Sequence, residues 1–151
     1  MANTQAMCTS FKQELFTGHH AFGTTVTRGS TAADSFKAAL YLASATYNAS
    51  TTAYSATGEV SGTNYTAGGV AIGAWNAPTT SGTTAYTTPT ASFAWTTVTL
   101  STSFDACLIY NATQSNRAVS VHTFGATTIT AGNFTLTMPT NDASNALLRI
   151  A

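Results

Sequence analysis

Three histidines and two cysteines are the residues best suited to hold a metal: His19, His20, His122, Cys8 and Cys107. A zinc site needs ligands that converge on one ion, usually as C-x-x-C or as two histidines one helical turn apart. Neither spacing occurs. His19 and His20 are adjacent and point to opposite sides in extended chain, so they read as turn or surface histidines. No metal ligand is assigned. The cysteines are far apart in sequence and read as partly buried thiols rather than a disulfide.

Acid–base chemistry would have to come from Glu14, Glu59, Asp34, Asp105 and Asp142. A glycosidase pairs two carboxylates across a bond, and only Glu59 and Asp105 sit where a fold could join them. Asp105 begins an apolar strand and reads as a partner for backbone groups. Glu59 reads as a solvated turn residue. G-x-S-x-G is absent, so no catalytic residue and no cofactor is assigned. The glycine-rich stretch around Glu59, GEVSGTNYTAGGVAIG, lacks the lysine and following helix of a phosphate loop. It reads as a chain that turns twice between strands, with glycine at positions of positive φ. Trp75 and Tyr86 are the aromatics read as surface residues, able to stack on a sugar, whereas Trp95 shares a face with Phe93 and reads as core.

Composition narrows the partners. Charged residues make up 7% of the chain, five cations against five anions, where about 25% is usual. Thirty-two threonines and fourteen serines fill the gap. Nucleic-acid binding needs clustered cations, and a membrane-surface helix needs a basic face; neither is present. No apolar run approaches the ~18 residues of a span, and the N-terminus does not read as a signal peptide. With 44% apolar residues the chain folds, and its surface is wetted by hydroxyls.

The elements follow. Met7, Phe11 and Leu15 recur at i, i+4, i+8, with Phe16 as a second apolar edge, so residues 1–18 read as a helical segment capped by Asn3 or Thr4. This segment reads as separable from a single β-domain over residues 19–151. There, Phe36–Leu42, Val70–Ala74, Phe93–Leu100, Val119–His122 and Phe134–Met138 alternate with period two, and Ala106–Tyr110 is apolar on both faces. A parity switch at Thr96–Thr97 predicts a bulge. Thr130–Asn133 reads as a tight hairpin, Asn111–Asn116 as a polar hairpin loop, and Pro78–Pro89 as an exposed loop. About eight short antiparallel strands predict an all-β sandwich or jelly roll.

The strings MCTSFKQEL, GHHAFGT, FKAALYLASAT, TAYSATGEVSGTNYTAGGV, FDACLIYNATQSNRAVSVHTFG and FTLTMPTNDASNALLRIA resemble small virion proteins of tailed bacteriophages over nearly the whole chain. Around Gly73-Ala-Trp-Asn76 the chain varies from that pattern. The resemblance implies a non-enzymatic structural protein, most like a capsid cement or decoration protein. Such proteins lie on the outer surface of the capsid, bind the major capsid protein and act as dimers or trimers. It brings no catalytic motif. The interface expected on this reading comprises Met7, Phe11, Leu15 and Phe16 together with Asn111, Gln114 and Asn116. Rival readings are a tail, collar or fibre component, or a carbohydrate-binding module for the host surface using Trp75 and Tyr86.

Overall fold

A computed structural model describes residues 3–8, 10, 11, 15, 18–23 and 32–151. The protein is all-β, with its strands in antiparallel sheets. In chain order they are β1 (Ala6–Met7), β2 (Phe36–Leu42), β3 (Val70–Ile72), β4 (Thr79–Ser81), β5 (Thr84–Thr87), β6 (Phe93–Asn111), β7 (Arg117–Leu136) and β8 (Leu148–Ile150). One sheet has the order β1-β7-β6-β2-β3, and the second has the order β4-β5-β8.

The stretches read as separate short strands fuse into two long ones, β6 of 19 residues and β7 of 20, joined at the Asn111–Asn116 turn. Fusion requires bends, and bulges supply them. Thr97 takes φ 53 where the register slips between Trp95 and Val98, which is the predicted parity switch. Opposite it, Thr130–Asn133 is a second bulge and not the expected hairpin: Ala131 has φ 45 and Gly132 pairs with Val98. The two bulges are stitched together, since Thr97 N donates to Asn133 Oδ1 at 2.8 Å and Ala131 N to Thr99 Oγ1 at 3.0 Å. Pro78–Pro89, expected as a loop, is the β4–β5 hairpin turning at Gly82. Its β-branched threonines suit a pleated, half-exposed ribbon.

The expected helix is corrected at its start. Ala6 and Met7 pair with Val121 and Ser120 of β7, so they form a strand. Asn3 does not cap a helix: its amide donates to Leu42 O and Asp105 Oδ1, and its Oδ1 accepts from Tyr47 N. Those bonds, with Thr4 N donating to Tyr47 O and Cys8 N to Val119 O, satisfy backbone and side chain better than an isolated turn could. Ser10, Phe11 and Leu15 have helical conformation; Phe16 lies outside the described residues.

Three aromatic groups build the core. Phe11, His20, Phe22, Phe36 and Trp75 form one, with Phe22 and Phe36 rings at 4.6 Å and Phe22 and Trp75 at 4.8 Å. Phe104, Phe124, Phe134 and Trp95 form the second, inside the β6–β7 bend. Tyr41 packs at a tilt against Tyr47, and Tyr54 stacks on Tyr110, at the Glu59 corner.

Candidate interaction surface

Each residue expected to act as a site has a place in this frame. Trp75 is a correction: it is 3% exposed and wedged against Phe22 and Phe36. Its bridge to Pro89 draws it inward although Gly73 and Ala74 beside it are exposed. With Trp75 buried, the pair expected to stack on a sugar is reduced to Tyr86, half-buried in β5 opposite Thr79 and Arg149. Phe11, at 2% exposure, belongs to the core and not to an interface. Met7 and Leu15 are half-buried against that core.

Asn111 is a further correction, fully buried because it organises the hairpin turn from inside. Its Oδ1 accepts from Thr113 N and Gln114 N, and its Nδ2 donates to Asp34 Oδ2 at 2.7 Å, beside His20 Nδ1. Gln114 is half-buried and donates to Asp34 Oδ1 at 3.3 Å, while Asn116 is exposed at the tip with φ 56.

Glu59, expected in solvent, is instead the staple of the glycine-rich corner. It accepts from Tyr54 Oη at 2.7 Å, Tyr65 Oη at 2.8 Å and Gly68 N at 2.8 Å. Leu40 N donates in turn to Tyr65 Oη, so the carboxylate is tied to strand β2 through a phenol. Burial, and then Glu59 itself, pushes the Tyr54 hydroxyl up, so it keeps the proton it donates. This cluster is structural: every polar atom named in it is satisfied by its neighbours.

The open features lie on the other side of the sheet. β1 covers β7 only at Ser120 and Val121, so among the described residues β7 has no outer partner from His122 to Leu136. No Asp, Glu, Lys or Arg occurs between Arg117 and Asp142, and the first proline after Arg117 is Pro139. Soluble β-proteins guard such edges with charge, proline or bulges; here the bulges alone are used.

Beside the start of this edge is a cavity of about 200 Å³ walled by Phe93, Cys107, Phe124, Leu136, Met138 and Leu147. Gln5, His122, Thr123 and Thr137 supply its polar groups, and among the described residues no charged side chain lines it. A wider groove of about 560 Å³ shares Gln5, His122 and Leu147 and runs toward Thr84 and Arg149. Arg149 is already engaged, its Nη1 donating to the carbonyls of Ala143 and Ser144.

His122 and Ser120 are two apart on one strand, hence on one face, with Ser120 Oγ 2.8 Å from His122 Nε2. Cys107 is their neighbour across the register with His122. As a nucleophile set it is poorly poised: burial pushes the Cys107 thiol far up, and Ser120 is 2% exposed. Among the described residues, no three of His, Cys, Asp and Glu gather where a metal could sit. The arrangement is suited to binding apolar groups.

Burial lowers His122 to about 4, because the ring is sunk among neighbouring atoms even though part of the residue meets the cavity. The unfolded chain titrates near 6.5 and so binds more protons between these values. Stability is therefore complete above pH ~6.5 and lost as pH falls toward 4. The full difference corresponds to about 3 kcal/mol, reduced toward about 2 by cavity water. Urea midpoints at pH 7 and pH 4.5 should separate strongly for the wild type and much less for His122→Gln. Equal separation in both would assign the acid sensitivity elsewhere; Asp142, whose carboxyl is lowered by hydrogen bonds from Asn145, acts below that window.

No protein-family model, curated protein or solved structure matches the chain.

Proposed function

We propose that this protein is a non-enzymatic structural component of a tailed-phage virion, a head cement or decoration protein. On this reading it binds the outside of the major capsid protein shell as a dimer or trimer and stiffens it. The observation that carries the proposal is the β7 edge, free of charge and proline, on a chain of zero net charge. Many copies of such a surface can lie side by side without mutual repulsion, and an edge left open in one molecule is a template for pairing in an assembly. The hydroxyl-rich composition and the resemblance to small virion proteins support the same reading.

The work done would be mechanical. A contact burying on the order of 400 Å² of apolar surface contributes roughly 10 kcal/mol per copy before ordering costs. Repetition over a shell multiplies that resistance to internal pressure. Quantitative mass spectrometry of purified particles tests the assignment. A stoichiometry close to that of the shell protein, retained on tailless heads, is the expected result. Detection only at the stoichiometry of one ring or fibre would move the protein to the tail, and absence from particles would refute the virion reading.

A further inference from the structure

We propose that the 200 Å³ cavity beside the β7 edge is an anchor pocket. It receives one aromatic side chain from an extended, uncharged segment of a partner polypeptide, whose backbone pairs with the edge at Thr123. The inference rests on the assembly reading above and names the surface through which a neighbour is held.

Two independent features meet at this place. The first is main-chain hydrogen-bonding capacity. β1 occupies the edge as far as Val121 and then turns away, because Thr4 and Asn3 bond to Tyr47 and Leu42 on another part of the fold. Cys8 N donates to Val119 O, so the outward main-chain groups on this edge are those of Val119, Val121 and, in line beyond β1, Thr123, which an extended backbone can take up. The second is the pocket, lined by His122, Thr123 and Phe124 themselves. Strand addition of this kind draws affinity from the backbone and selectivity from pockets that take alternate side chains.

The pocket chemistry defines the side chain. A cavity of about 150 Å³ is known to hold a benzene ring, so about 200 Å³ suits one aromatic ring with little to spare. Phe93, Phe124, Leu136, Met138 and Leu147 supply apolar wall, and Met138 adds a polarizable sulfur that favours ring contacts. Among the described residues no cation or carboxylate lines it, so a charged side chain would be desolvated without compensation. Gln5 and Thr137 offer amide and hydroxyl groups at the margin for the flanking residues of the segment. The register slips near Phe104 and Ala106, opposite Thr127 and Thr123, end the regular edge soon after Phe124, which keeps the paired segment short.

The test uses the full chain and two blocked heptapeptides, acetyl-TTTFTTT-amide and its alanine-centred analogue, followed by NMR. The phenylalanine peptide should shift the amides of Thr123 and Phe124 and the methyls of Leu136, Met138 and Leu147. The alanine peptide should bind at least tenfold more weakly. Filling the pocket with Leu136→Trp, or with Met138→Trp if the first variant fails to fold, should abolish the shifts while the remaining spectrum is retained. Equal binding of both peptides, undiminished binding to the filled variant, or no shift at millimolar peptide would overturn the proposal. Binding of free indole without the peptide would replace it with a small-molecule site. These outcomes are independent of particle composition: the pocket can fail while the protein is found on heads, and it can hold while the virion reading fails.

Discussion

Gly69→Ala should be among the most damaging single substitutions in this protein, lowering stability by more than about 4 kcal/mol and the melting temperature by roughly 10 °C or more. Two costs coincide there. Gly69 has φ +71, where a β-carbon is strained, and that atom would stand 1.9 Å from Ala38 O and 2.7 Å from Ala39 Cα. Both contacts are backbone of the buried strand β2, so no flexible side chain can move aside. Two other glycines separate the contributions. Gly82 has φ +58 but nothing within 4 Å, so Gly82→Ala should cost about 1 kcal/mol from backbone conformation alone. Gly73 has open space and no positive φ, so Gly73→Ala should be close to neutral. Thermal melts of the three variants give the order directly. A Gly69 variant as stable as the Gly73 variant would mean that the chain does not cross β2 so closely.

The second large effect concerns the N-terminal segment. Its sequence reads as separable, and its removal as harmless to the β-domain, but the fold argues the reverse. Deleting residues 1–17 takes away β1, the Asn3 bonds to Leu42, Tyr47 and Asp105, and the buried Cys8 and Phe11. Loss of a buried phenylalanine alone costs about 3–5 kcal/mol. With the strand and the Asn3 network added, the sum reaches the ~5–15 kcal/mol that holds a typical domain together. The truncated chain should lose near-UV circular dichroism and amide dispersion, and Phe11→Ala should fold with visibly reduced stability. A deletion variant with a well-dispersed spectrum would restore the separable segment.

What was legible in the sequence is what local period encodes. Phe36–Leu42 and Phe134–Met138 alternate because one pleat side meets the core, and the parity switch at Thr96–Thr97 exposes its bulge. Where two structures share one local signature, reading fails. Thr130-Ala-Gly-Asn133 has the turn chemistry of a hairpin, and a bulge asks for the same glycine and positive φ; only the partner strand decides. Trp75 follows two exposed small residues, so its neighbourhood points outward, while the rings that bury it, Phe22 and Phe36, come from far earlier in the chain. Glu59 reads as solvated for a related reason: its donors Tyr54, Tyr65 and Gly68 lie nearby but outside periodic strands, where no alternation aims them. The shortage of lysine and proline points to poorly guarded edges, but the cavity and which edge stays open are not encoded locally, since both arise where β1 departs from β7.

That departure also has a bearing on synthesis. The partners of β1 lie at Ser120 and Val121, and Asn3 meets Asp105 across 102 positions of chain. At about 5–20 residues per second, the first strand waits on the order of ten seconds for its partner to be made. The N-terminal strand therefore docks only once residues 120 and 121 have been made. In a crowded cell, its docking competes with the pairing of one nascent copy's edge to another's.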